Sequence, residues 1–85
     1  MADKQKIFDD IKEERKYQDE KWGVEFDKKN TANDWATYIM TYLANASAMP
    51  TGSPEYRKLM VKVAALSVAA IEMADDKFMP IRHYE

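Results

Sequence analysis

A chain of 85 residues makes one domain with a small core. With no cysteine and one histidine, neither a disulfide framework nor a Cys/His metal cluster can reinforce that core. A formal net charge of -2, mixed over 33% charged residues, carries no basic excess and excludes the usual electrostatic footprint of a nucleic-acid binder.

The lack of cysteine fits a reducing cytosol. Lys4 and Lys6 are followed by Asp9, Asp10, Glu13 and Glu14, which is not the opening of a signal peptide. The predominantly apolar run at residues 63–71 is too short to span a bilayer. A cytoplasmic protein with no membrane and no nucleic-acid partner is expected.

The spacing predicts a first helix over residues 3–21. Ile7, Phe8 and Ile11 begin an apolar stripe that resumes at Trp22, and steps of three or four place Arg15 and Gln18 on the same side. The other side (Asp9, Asp10, Lys12, Glu13, Lys16, Asp19, Glu20) reads as a solvated face with helical ion pairs. Gly23 should end the helix, and residues 24–30 read as a polar loop.

A second helix is expected over residues 32–49, with Thr31 and Asp34 in a capping-box arrangement. Its stripe is Trp35, Tyr38, Ile39, Tyr42, Leu43, Ala46 and Met49. Opposite it stand Thr37, Thr41, Ala44 and Ala48, small groups that let another helix approach closely.

Residues 50–54 make a tight connection, with Ser53 as a cap and Pro54 at the first position of a third helix over residues 54–78. Between Leu59 and Ala74 its only charges are Lys62 and Glu72, so it should be central. The other two helices are too few to surround it, which implies a partner chain. Pro80 stops the helix, and His83 in the tail reads as a surface residue.

The expected fold is therefore all-α and antiparallel, with the second and third helices forming a hairpin. Ile39, Leu43, Leu59, Val63, Leu66 and Ala70 are its expected buried positions. The expected assembly is a homo-oligomer, most simply a dimer whose hairpins pair into a four-helix bundle.

The segment Glu14-Arg15-Lys16-Tyr17-Gln18-Asp19-Glu20-Lys21-Trp22-Gly23 resembles the opening of the MazG-like nucleotide pyrophosphohydrolases common in phage genomes. The resemblance continues at Trp35 and, in the last helix, at Arg57, Val63-Ala64-Ala65 and Ile71-Glu72. It implies an all-α fold and a nucleotide-like ligand.

Catalytic members of that family hold magnesium on a Glu-Glu-x-x-Glu run and a Glu-x-x-Asp pair. Magnesium is a hard cation that takes oxygen ligands, and the acidic pocket sets it against a nucleotide's phosphates. In this chain the corresponding positions are Met40, Thr41, Ala44, Leu59 and Lys62, none of them a carboxylate. The expectation is no catalytic residue, no metal ligand and no cofactor. Magnesium would enter only if carboxylates elsewhere had taken over.

Arg15 and Gln18 have two open readings. They form an internal ion pair and hydrogen bond, within the chain or across a subunit interface. Alternatively they hold a ligand's phosphate and base edge, with Trp22 or Trp35 stacking on the base. Lys62 either meets a ligand phosphate where the family's metal would sit, or belongs to a solvated stripe with Lys58, Glu72 and Asp76. Arg15, Gln18, Trp22, Trp35 and Lys62 are thus the candidate ligand-binding residues.

Three functions compete. The first is a non-catalytic helical oligomer that binds a nucleotide or nucleotide-derived phosphorylated ligand; the family's company in phage genomes implies sequestration of a host signal. The second is an active pyrophosphohydrolase with displaced carboxylates drawn from Glu13, Glu14, Asp19, Glu20, Glu72, Asp75 and Asp76. The third is a protein–protein adaptor using Tyr17, Tyr38, Tyr42 and Tyr56.

Overall fold

A computed structural model describes residues 2–76, apart from the side chains of Val24 and Phe26. Among the described residues there are four helices and no strand: α1 (Lys4–Lys21), α2 (Gly23–Lys29), α3 (Ala32–Ser47) and α4 (Pro54–Asp75). The expected end of the last helix at residue 78, the stop at Pro80 and the placement of His83 lie outside the described residues.

Local chemistry sets the helix ends. The Asp3 carboxylate accepts from the Lys6 amide at 3.2 Å and caps α1. At the other end the Trp22 amide donates to the Gln18 carbonyl at 2.9 Å, and Gly23 then takes φ 82°, the left-handed conformation glycine adopts without strain. The Thr31/Asp34 capping box is present. The Asp34 amide donates to Thr31 Oγ1 at 3.2 Å, and the Thr31 amide donates to Asp34 Oδ2 at 2.9 Å. Ser53 Oγ accepts from the Tyr56 amide at 3.1 Å, with Pro54 in the first turn of α4.

The stretch at residues 24–30, expected as a loop, is the short helix α2 ending at Asn30. Seven residues are too few to display a 3.6-residue period. Glu25 in its first turn, and Lys28 and Lys29 in its last, do suit the helix dipole.

α4 is the central element. α1 and α3 both pack on it and not on each other, while α2 touches α1 and α4. Trp35, Leu66, Ala69 and Met73 form the core cluster, with Tyr38, Ile39, Tyr42 and Ala70 packed against it. Leu66 is buried as expected, whereas Ile39, Leu59, Val63 and Ala70 are half-buried. Leu43 is a correction: it is 42% exposed, because α3 turns Trp35, Tyr38, Tyr42 and Ala46 toward α4 and leaves Leu43 at the edge of that stripe.

Candidate functional site

Trp22, Tyr38, Tyr42 and Leu66 line a cleft of about 210 Å³ where the end of α1 meets the α3–α4 hairpin. Tyr38 and Tyr42 stand one turn apart on α3, so their rings share a side of that helix. Leu66 comes from α4, and Trp22 is placed by the turn at Gly23.

Two lysines sit on this aromatic lining. The Lys62 ammonium lies 5.1 Å from the centre of the Tyr42 ring, and that of Lys21 lies 5.2 Å from the Trp22 ring centre. Such contacts hold each cation near the cleft without neutralising it. Lys62 forms no ion pair among the described residues. On the stripe with Lys58, Glu72 and Asp76, Lys62 is half-buried, the other three are exposed, and Glu72 pairs with Arg15 of α1.

Next to the cleft is a layer of buried polar groups. Arg15 Nη2 donates to Asp27 Oδ2 at 2.9 Å and pairs with Asp19 Oδ1 at 2.8 Å, while its Nε lies 3.5 Å from Glu72 Oε1. The guanidinium is therefore engaged by carboxylates of α1, α2 and α4 at once. Gln18 is fully buried and donates through Nε2 to Glu14 Oε2 at 3.1 Å. The Tyr38 hydroxyl donates to Asn30 Oδ1 at 3.1 Å, and the Trp35 ring meets the Tyr38 ring edge-on at 6.2 Å.

Burial raises the Asp27 carboxyl above its ordinary value, against the hydrogen bond and charge of Arg15, with Asp19 adding to the rise. Asp10, on the surface between α1 and α4, is shifted the other way. Hydrogen bonds from Arg57, at 2.7 Å, and from Lys6 lower its pKa.

The five candidate residues thus fall into two groups. Trp22 lines the cleft and Lys62 lies on the ring of Tyr42, one of its walls, whereas Arg15, Gln18 and Trp35 are buried. Sequence reasoning missed Tyr38 and Tyr42 as cleft walls, Lys21 as its second cation and Asp27 as the partner of Arg15. A buried-facing arginine was itself a signal for a nearby acid, but Asp27 lay in the stretch read as a solvated loop.

The donor set does not fit magnesium. Met40, Thr41 and Ala44 are exposed on α3, and the Thr41 hydroxyl is turned back to the Thr37 carbonyl at 2.9 Å. Leu59 offers no ligand atom, and Lys62 offers a cation. Among the described residues no group of three or more His, Cys, Asp or Glu is placed to hold a metal ion. Of the carboxylates available for a displaced site, Asp19 and Glu72 are engaged by Arg15 and Glu14 by Gln18; Asp75 and Asp76 are exposed at the end of α4.

Comparison with family models, with curated proteins and with solved structures finds no match to this chain.

Proposed function

We propose that this chain is a non-catalytic, MazG-like helical protein that works as a homo-oligomer and binds a nucleotide or nucleotide-derived phosphorylated ligand at the cleft. The observation that carries the reading is the pairing of an aromatic cleft with a cation that no carboxylate claims among the described residues: Trp22, Tyr38 and Tyr42 around the opening, and Lys62 on the Tyr42 ring. A planar base gains from stacking on such rings, and a phosphate is drawn to the ammonium beside them.

The size of the cleft supports partial enclosure. At about 210 Å³ it is smaller than the roughly 300–1,000 Å³ of pockets that enclose a whole ligand. A base fits inside while the sugar and phosphate stay outside, within reach of the lysines that lie on the Tyr42 and Trp22 rings. Arg15 and Gln18 then act as the internal support of Trp22 rather than as ligand contacts. Binding without turnover is what a protein that sequesters a signal requires, and the absence of oxygen ligands at the family's metal positions favours it over hydrolysis.

The test is a melting series against nucleoside mono-, di- and triphosphates. A ligand that binds only the native state raises its stability by RT ln(1 + [L]/Kd), about 2.7 kcal/mol at a hundredfold excess over Kd. At least one nucleotide should raise the melting temperature of the wild type and leave that of Lys62→Glu unmoved. Equal shifts in both proteins would remove Lys62 from the site.

A further inference from the structure

Only Asn30 and Thr31 separate α2 from α3, and the side chain of each makes a hydrogen bond with α3. Thr31 caps the helix it precedes. Asn30 reaches further along it. It is 5% exposed, and its Oδ1 accepts a hydrogen bond from the Tyr38 hydroxyl at 3.1 Å. Tyr38 is a wall of the cleft and Asn30 is not, so a buried residue holds the tip of a side chain that lines the opening.

We infer that Asn30 is a positioning residue of the cleft. Through the Tyr38 hydroxyl it sets the plane of the Tyr38 ring, and through its place at the end of α2 it makes ligand affinity depend on the docking of that helix. The ligand is the nucleotide proposed above, on which this role rests. Three observations support it.

The first is the geometry of the ring. The torsion that sets a tyrosine ring plane has a broad intrinsic distribution, so neighbours must fix it. The Trp35 ring meets that of Tyr38 with 6.2 Å between centres and 83° between planes, the edge-on contact that aromatic pairs favour. That contact restrains the body of the ring, and Asn30 restrains its tip. A base stacks best on a ring whose plane is set in advance, because ordering a side chain on binding subtracts from affinity.

The second is what holds Asn30. Its amide donates to the Asp27 carbonyl at 3.2 Å, and the Asp27 carboxylate accepts from Arg15 at 2.9 Å. Arg15, Asp27 and Asn30 are all buried. Polar contacts therefore run from α1 through α2 to Tyr38 on α3, although α1 and α3 do not pack on each other.

The third is the other half of the Asn30 amide. Its Nδ2 is buried and makes no hydrogen bond among the described residues. A buried donor without a partner costs stability, and an apolar side chain in this place would avoid that cost. The bond between Oδ1 and Tyr38 is the contribution that only a polar side chain can make here.

The experiment compares the wild type with Asn30→Ala, Tyr38→Phe and the double variant. ATP, GTP, CTP and UTP are the probes, titrated well below the melting temperature so that lost stability alone leaves affinity unmoved. Each single change should weaken binding about three- to tenfold, the worth of one side-chain hydrogen bond, and the double change should weaken it no further. Losses that add in the double variant overturn the inference. So does a lower melting temperature at unchanged affinity in Asn30→Ala, which would make the residue structural alone. Tyr38→Phe keeps the ring, so wild-type affinity in that variant is decisive even where Asn30→Ala does not fold.

A second measurement needs no ligand. Nuclear Overhauser contacts between the Trp35 and Tyr38 ring protons should be strong in the wild type and clearly weaker in Asn30→Ala and in Tyr38→Phe. Equal contacts in all three proteins contradict the role given to Asn30. Should no probe bind the wild type, the reading above fails, and the ring contact alone decides whether Asn30 positions Tyr38.

Discussion

Arg15 and Asp27 meet at 2.9 Å, and both are withdrawn from water, at 8% and 3% exposure. They are twelve residues apart, on either side of the turn at Gly23, so their contact clamps α2 onto α1 and fixes the segment that carries Trp22. Arg15 therefore influences the cleft without touching it. Removing the guanidinium leaves a buried carboxylate without its partner, which costs about 3–5 kcal/mol. Arg15→Ala should lose that much in urea denaturation, and Arg15→Ala/Asp27→Asn should lose clearly less than the sum of the single changes. Additive losses would mean that the two groups do not depend on each other.

The same pair gives a signed pH dependence. Burial raises the folded pKa of Asp27 above its ordinary 3.8, so the folded state takes up a proton before the unfolded chain does. Stability therefore increases as pH falls from neutral through the folded pKa of Asp27, and this gain is complete near 3.8. Asp10 behaves oppositely. Its pKa is lowered, so its contribution is present above 3.8 and is lost only as pH falls below that value. Subtracting the melting profile of Asp27→Asn from that of the wild type should isolate a stabilisation that grows toward acid above pH 3.8. A difference that falls toward acid in that window has the wrong sign for this account.

The turn at Gly23 is a conformational requirement and not a steric one. A side chain added there meets nothing within 4 Å, but φ is +82°. Gly23→Ala should destabilise by about 1–2 kcal/mol, the cost of left-handed backbone for a residue with a β-carbon. Gly52 also has open space but no positive φ, and Gly52→Ala should be close to neutral. Comparable losses at the two positions would show that the turn does not depend on its handedness.

The legible part of the fold was the part written in local chemistry. Thr31 with Asp34, Ser53 with Pro54, and Gly23 each announce a helix end through one or two side chains. The uncharged length of the third expected helix revealed its central place. α2 was not legible, because its seven residues make about two turns, too few to show a period, and its polar residues match a loop equally well. The burial of Leu43 was overestimated because its place in the apolar stripe is shared with Trp35 and Tyr42, and only packing decides which of the three faces inward. The site was half legible. Arg15 and Gln18 stood out as polar residues on an apolar face, but a sequence does not say whether such groups face a ligand or each other's neighbours. Tyr38 and Tyr42 looked like ordinary stripe residues until α4 and Trp22 left a gap between them.

Hydrolysis should be absent. With either magnesium or manganese, the purified protein should release no pyrophosphate from any common nucleoside triphosphate, since Thr41, Ala44, Leu59 and Lys62 cannot supply the several oxygens that an octahedral ion requires. Metal-dependent release that survives purification to homogeneity and disappears in Glu13, Glu14 or Asp19 variants would restore the displaced-carboxylate enzyme.

The central claim is that a base stacks in the cleft against Trp22, and the fluorescence of that residue tests it most directly. The chain has two tryptophans, and Trp35 is buried in the core at 3% exposure. Trp35→Phe, a change that keeps an aromatic ring there, leaves Trp22 as the sole reporter. Titrating this variant with the nucleotide that gives the largest melting shift should quench Trp22 saturably, with a midpoint that weakens at least tenfold when Lys62→Glu is added. Emission that stays constant through saturating ligand, while the melting temperature still rises, would place the ligand elsewhere and contradict the account.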